Sequence, residues 1–121
     1  MLDPEFKTKW VAALESGEYP QARQQLYNPG VGYCCLGVAC VVAGAAFKDN
    51  CEGELRAVLN GKIISDENTS LAGNFMQEIG LTDMEQTELY RMNDGFLPED
   101  DDKHIPCHSF KKIAAYIKEN L

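Results

Sequence analysis

Apolar residues recur at every fourth position near the start of the chain. Phe6, Trp10 and Leu14 share this spacing, so they fall on one face of a helix. Asp3 precedes the stripe and suits an N-cap, and Gly17 follows it and suits the left-handed position after a helix. The pattern predicts a first amphipathic helix between these two residues.

The same periodicity returns at the end of the chain. Phe110, Ile113, Ala114 and Ile117 follow the i, i+3, i+4, i+7 pattern of a half-buried helix. Ser109 stands directly before them, where a hydroxyl can accept a hydrogen bond from the first turn. The pattern predicts a final helix with one buried face.

Another apolar stripe lies in the middle of the chain. Leu71, Phe75 and Ile79 again recur at every fourth position. Residues 68–70 offer caps before the stripe, and Gly80 can close it. We expect a helix between these signals.

A further helix start follows almost at once. Thr82 and Glu85 have the spacing of a capping box, in which each side chain accepts from the backbone of the other residue. The box predicts a helix from Asp83 to about Asn93.

The longest apolar run, Cys34 to Phe47, contains three of the five cysteines. Its length and its alanines favour a buried helix over residues 34–46 rather than a strand, and either Gly44 or residues 48–50 would end it. Gly37, Cys40, Val41 and Gly44 would share one side of that helix, and small residues there let another backbone approach. The run therefore predicts a tightly packed central helix.

Two turn signals predict β-structure. Asn60-Gly61 between apolar pairs is typical of a two-residue hairpin, although a helix that ends at Asn60 with Gly61 in the left-handed position is an alternative. A second short hairpin can turn at Asn28–Gly30. With the helices, these signals predict one mainly α domain over residues 1–121, of about five helices with a possible small β-hairpin, and α+β at most.

Charge is distributed unevenly along the chain, which carries a formal net charge of −8. The acidic surplus lies in residues 49–102, where Arg56, Lys62 and Arg91 are the only basic residues. Such a chain repels phosphate backbones, so direct nucleic-acid binding is not expected. The same charge suits a protein partner with a basic surface.

Cysteine usage and hydropathy predict the compartment. The chain shows no signal-peptide pattern, and its longest apolar run falls short of the 18 or more residues of a membrane span. Five cysteines, an odd number, fit a reducing interior in which thiols are not paired. We expect a cytosolic protein that does not enter a membrane.

Three stretches of the sequence carry a resemblance. FKTKWVAALESGEYPQARQQLYNPGVGYCCLGVAC, LYRMNDG and SFKKIAAYIKENL resemble a family of short proteins encoded by bacteriophages and prophages. In that family the Asn-Asp-Gly turn runs quickly into the last helix, whereas residues 96–108 intervene here. The resemblance implies expression in the cytosol of an infected or lysogenic bacterium, and it implies no catalytic residues.

Cysteine and histidine side chains raise two chemical alternatives. A structural zinc site needs four ligands, but Cys34 and Cys35 are adjacent and diverge by about 100° on a helix. A cysteine nucleophile at Cys34 or Cys35 would need His104 or His108 as a base. Packing of the thiols in the core is favoured over both, and no cofactor is expected. The residues that could supply metal ligands are Cys34, Cys35, Cys40, Cys51, His104, Cys107 and His108.

Two loops are candidate recognition surfaces. The acidic loop that follows Asn93 lacks the alternating ligand positions of an EF-hand, so calcium is disfavoured. It can instead present an apolar anchor ringed by carboxylates to a basic partner. Aromatic residues of the Pro/Gly loop form the second candidate. The binding candidates are Phe96, Leu97, Glu99, Asp100, Asp101 and Asp102 in the first loop, and Tyr19, Tyr27 and Tyr33 in the second.

The sequence therefore predicts a non-enzymatic binding protein of phage type. It would modulate a process of the bacterial host, for example by inhibiting a defence component through an acidic surface. One alternative is a binder of a small nucleotide signal. A cysteine-dependent enzyme is the other alternative.

Overall fold

The computed structural model describes residues 2–22, 25–49, 55–66, 70–94 and 109–121. These residues contain five helices and seven strands. The helices are α1 (Pro4–Glu15), α2 (Cys35–Ala43), α3 (Gly73–Ile79), α4 (Asp83–Asp94) and α5 (Phe110–Asn120). The strands are β1 (Tyr27–Asn28), β2 (Gly32–Tyr33), β3 (Ala46–Asp49), β4 (Leu55–Leu59), β5 (Lys62–Ile63), β6 (Ser65–Asp66) and β7 (Ser70–Leu71).

The fold is mixed α+β, so the prediction of a mainly α protein with at most a minor hairpin is wrong. Three small antiparallel sheets form within the described residues, in the orders β1-β2, β3-β4-β5 and β6-β7. Each pairing joins strands that follow one another in the chain, but strands this short carry too little period-two alternation to stand out from a helix pattern. The sequence pattern consequently overstated the helical content.

Local cap signals placed the outer helices correctly. The Asp3 carboxylate accepts a hydrogen bond from the Phe6 amide at 2.9 Å, and Ser109 Oγ accepts from the Lys112 amide at 3.4 Å. These bonds satisfy backbone donors that lack a partner inside the helix. The predicted first and final helices are confirmed as α1 and α5.

The capping box of α4 also forms as predicted. The Glu85 amide donates to Thr82 Oγ1 at 3.1 Å, and the Thr82 amide donates to Glu85 Oε1 at 2.9 Å. This reciprocal pair fixes the start of α4 at Asp83.

One predicted helix start is wrong, and the central helix is shorter than its predicted range of residues 34–46. Gly44 adopts a left-handed conformation with φ of 96° and ends α2, which confirms the first of its two predicted ends. The last residues of the apolar run then form β3 rather than helix. The third helix begins after Ala72, because Ser70, a predicted cap, is paired in β7.

The Asn60-Gly61 hairpin is confirmed. Both turn residues have positive φ, 52° for Asn60 and 80° for Gly61, as a type I′ turn requires. The turn joins β4 to β5 with Leu59 opposite Lys62, so the alternative of a helix ending at Asn60 is wrong. The second predicted hairpin also forms, between β1 and β2.

The core forms where α1 packs against α2 and α5, and α4 packs against both α2 and α5. Trp10 is fully buried, and its indole N–H donates to the Cys35 carbonyl at 3.0 Å. That bond satisfies the one polar atom of the largest side chain in the core. Within the described residues, no helix is both long enough and apolar enough to span a membrane.

Helix α2 approaches its neighbours closely, as its small residues predict. A Cβ atom built on Gly37 would overlap the backbone carbonyl oxygen of Leu26. The same carbonyl accepts a hydrogen bond from the Cys34 amide at 3.2 Å. The segment before β1 therefore lies directly against the first turn of α2.

Candidate functional site

The Tyr-Cys-Cys-Leu-Gly block begins α2 and lies in the core. Cys34 is the N-cap residue, and its Sγ accepts a hydrogen bond from the Gly37 amide at 3.4 Å. Cys35 donates its S–H to the Leu89 carbonyl at 3.5 Å. That bond links the first residue of α2 to α4.

Cys40 lies further along α2 and is fully buried. Burial raises the pKa of its thiol far above the ordinary value, and the nearby Cys34 adds to that rise. A thiolate is the reactive form of cysteine, so these surroundings oppose nucleophilic chemistry. The structure favours the packing interpretation for all three cysteines of the block.

The metal hypothesis gains no geometry from the described residues. Among them, no group of three or more His, Cys, Asp or Glu side chains is placed to hold a metal ion. Cys51, His104, Cys107 and His108 lie outside the described residues, as do the acidic-loop candidates Phe96, Leu97, Glu99, Asp100, Asp101 and Asp102. The zinc, histidine-base and acidic-loop hypotheses therefore stay predictions.

Thiol reactivity provides a direct measurement of this packing. We expect a maleimide reagent to label Cys34, Cys35 and Cys40 slowly in the native protein and rapidly in denaturant, because all three are buried. Mass spectrometry of peptides after digestion distinguishes these sites from Cys51 and Cys107. Fast selective labelling of Cys34 or Cys35 at neutral pH would instead favour a nucleophile.

A buried asparagine connects the end of α4 to the cysteine block. The Oδ1 atom of Asn93 accepts from the Cys35 amide at 3.1 Å and from the Gln21 side-chain amide at 3.0 Å. Its Nδ2 donates to the Ala22 carbonyl at 2.8 Å. We call these contacts the Asn93 network. They join the Asn-Asp-Gly and Tyr-Cys-Cys-Leu-Gly motifs, which the sequence separates by more than fifty residues.

The structure brings the three candidate tyrosines together. Tyr27 and Tyr33 are directly opposite each other in the β1-β2 hairpin, and their rings stack with centroids 4.8 Å apart. Tyr19 stands edge-on to Tyr33 at 5.7 Å with an interplanar angle of 83°. Phe47 of β3 completes the group, 5.2 Å from Tyr27 and 6.0 Å from Tyr33. We call these four residues the tyrosine patch.

The tyrosine patch is partly exposed and uncharged. All four side chains are intermediate between buried and exposed, and three of them pack on the hydrophobic core along one side. Burial raises the pKa of the Tyr33 phenol, and the neighbouring phenols of Tyr27 and Tyr19 raise it further. The Tyr33 hydroxyl therefore stays protonated at neutral pH and can both donate and accept a hydrogen bond.

The Asn93 network positions this patch. The loop that carries Tyr19 runs beside β2, where the Tyr33 amide donates to the Pro20 carbonyl at 2.8 Å and the Ala22 amide donates to the Tyr33 carbonyl at 2.7 Å. Asn93 holds the next two residues of that loop through Gln21 and Ala22. The end of α4 thus fixes the loop against the hairpin that carries the stacked tyrosines.

Sequence reasoning missed Phe47, Asn93 and Gln21 as members of the site. Phe47 ended the apolar run and was expected just beyond a helix, although β3 turns it toward Tyr27. Asn93 marked only a helix end in the sequence. Its motif-like Asn-Asp-Gly context was a usable signal, but nothing local revealed which segment it would bind.

Comparison with known proteins gives one match. The family model described as "Domain of unknown function (DUF8296)" matches residues 2–52. The matched segment includes α1, α2 and every residue of the tyrosine patch, whereas Asn93 lies outside it. No curated protein and no solved structure matches the chain. The chain is therefore similar to this family over less than half of its length.

Proposed function

We propose that the protein is a small non-enzymatic binding protein of phage type, which acts in the bacterial cytosol and contacts a host protein through the tyrosine patch. The convergence of Tyr19, Tyr27 and Tyr33 with Phe47 carries this proposal. Tyrosines in ordered surface segments offer large contact areas at little cost in conformational entropy, and they are enriched among the residues that dominate binding energy.

Rigidity of the patch supports the proposal. Strand pairing holds Tyr27 and Tyr33 in place. The backbone hydrogen bonds between β2 and the loop that carries Tyr19 hold that loop in place. A preorganised surface loses less freedom on binding than a flexible loop does. The net charge of −8 favours a host partner with a basic surface, and a component of bacterial defence is one such target.

A second candidate function is binding of a small nucleotide signal. The stacked pair Tyr27 and Tyr33 favours it, because nucleobases stack on aromatic rings. Its phosphates would need nearby basic groups. Lys48 neighbours Phe47 in β3, but it pairs with Arg56 while Phe47 pairs with Ala57, so the two side chains lie on opposite faces of the sheet. Among the described residues, which do not include Arg23, this arrangement keeps Lys48 away from the rings and makes a protein partner the better-supported proposal.

Capture from a bacterial host lysate tests the role of the patch. We expect Tyr27→Ala to reduce recovery of the partner at least about tenfold, as loss of a central aromatic contact does. Tyr90→Ala is the matched control, because Tyr90 is 47% exposed on α4 outside the patch. Its recovery should equal that of the wild type.

The same experiment addresses the acidic loop. A variant with Asn at positions 100–102 should bind more weakly at low salt and show a flatter salt dependence, if carboxylates steer the basic partner. Melting temperatures of all variants establish that they are folded. Equal recovery of the partner by wild type and Tyr27→Ala would exclude the tyrosine patch from binding.

A further inference from the structure

The four residues of the tyrosine patch present aromatic ring faces and phenol oxygens at one place, and none of the four carries a formal charge. The faces of aromatic rings carry negative electrostatic potential and attract cations. Glu18 directly precedes Tyr19 and is exposed. The chain as a whole carries a net charge of −8, and its acidic surplus lies in residues 49–102, outside the segment that carries the patch. A cationic group is therefore attracted both by the rings and by the longer-range field.

Ring orientation further restricts which cation fits. Tyr19 and Tyr33 meet at 83°, so one ring plane and the edge of another are presented side by side. Tyr27 and Tyr33 stack on each other at an interplanar angle of 24°, so each ring turns one face toward the other ring and one flat surface away from it. A planar group can stack on such a surface while hydrogen-bond donors at its edge point toward phenol oxygens. A compact ammonium group offers no plane to stack.

We infer that the tyrosine patch binds an arginine side chain presented by the partner protein. The inference rests on the proposed function, and it specifies the chemistry of the partner at that site. A guanidinium is planar, weakly hydrated and always charged, and its five N–H donors can reach neutral phenols such as that of Tyr33. An anionic group or a purely apolar group would not be attracted both by the ring faces and by the net negative charge of the chain.

Selective labelling makes the inference measurable. The chain contains five tyrosines, of which Tyr90 and Tyr116 lie outside the patch and serve as internal controls. We would label tyrosine rings with ¹³C, assign the signals by single Tyr→Phe variants, and titrate the full chain with a peptide of three Gly-Ser-Arg repeats. Two matched peptides carry lysine or citrulline in place of arginine, and citrulline keeps the shape of arginine without its charge.

We expect the arginine peptide to shift the Tyr19, Tyr27 and Tyr33 signals and to leave Tyr90 and Tyr116 unchanged. It should bind about fivefold more tightly than the citrulline peptide, the ratio that about 1 kcal/mol of cation–π attraction gives. The lysine peptide should fall between them. Added salt should weaken the arginine and lysine peptides but not the citrulline peptide.

Four outcomes would overturn the inference. One is equal binding of the citrulline and arginine peptides, another is equal shifts at Tyr90 and in the patch, and the third is the absence of any shift in the patch. Tighter binding of the lysine peptide would likewise reject a guanidinium. None of these outcomes decides whether Tyr27→Ala loses the host partner, so the inference and the proposed function can fail separately.

Discussion

Replacing Gly37 with alanine should lower the free energy of unfolding by about 3 kcal/mol, the upper part of the usual range for overfilling a packed interior. The reason is steric, since the added Cβ would overlap the Leu26 carbonyl oxygen, a backbone atom that cannot rotate away. In an ordinary helix the same substitution stabilises by about 1 kcal/mol. The expected sign is therefore opposite to the helix-propensity effect, and urea denaturation measures it directly.

Gly73→Ala is the matched control. Gly73 is the first residue of α3, and a Cβ atom built there meets nothing within 4 Å. Alanine at this position should leave the stability unchanged or raise it by up to about 1 kcal/mol. An unchanged or increased stability of Gly37→Ala would show that the face of α2 toward Leu26 is open, in contradiction to the structure.

Loss of the Asn93 side chain should also be costly. Asn93→Ala removes the Oδ1 atom, which accepts hydrogen bonds from the Cys35 amide and from the Gln21 side chain. It also removes the Nδ2 group, which donates to the Ala22 carbonyl. Buried polar groups that lose their partners cost about 1–3 kcal/mol each, so we expect a total of about 3–4 kcal/mol. The loop that carries Tyr19 should loosen as well, and faster amide hydrogen exchange at Ala22 and Tyr33 would report it.

Asn120→Ala provides the comparison for Asn93. Asn120 is exposed at the end of α5, and its side chain donates to the Tyr116 carbonyl at 3.0 Å. Its removal should change stability by less than about 0.5 kcal/mol. Equal effects of the two substitutions would mean that the buried network contributes no more than a solvated hydrogen bond.

Local rules explain how much of the fold the sequence predicted. The caps at Asp3, Ser109 and Thr82, and the turn at Asn60-Gly61, each act within four residues, so the sequence displays them directly. β3 was not predictable in this way. Gly44 was one of the two predicted ends of the central helix, but the strand after it depends on pairing with β4 at Phe47 and Ala57, which competes with the helix signal of the apolar run.

For the candidate site too, the local features were predictable from the sequence and the long-range contacts were not. The aromatic residues of the Pro/Gly loop were identifiable as candidate contact residues from their type and surroundings. Their convergence with Phe47 was not identifiable, because Phe47 reaches Tyr27 and Tyr33 only from its place in β3, which belongs to a different sheet. The role of Asn93 depends on a hydrogen bond to Cys35 across 58 positions, which no local pattern encodes.

The packing of α1 on α5 has a consequence for synthesis on the ribosome. The Lys118 ammonium group bonds the Glu15 carboxylate at 2.9 Å, across 103 positions in the sequence. Translation delivers α1 first, so its apolar stripe stays uncovered on that side until α5 has left the exit tunnel. At ordinary elongation rates this exposure lasts for seconds, a period in which a nascent chain depends on chaperones rather than on its own core.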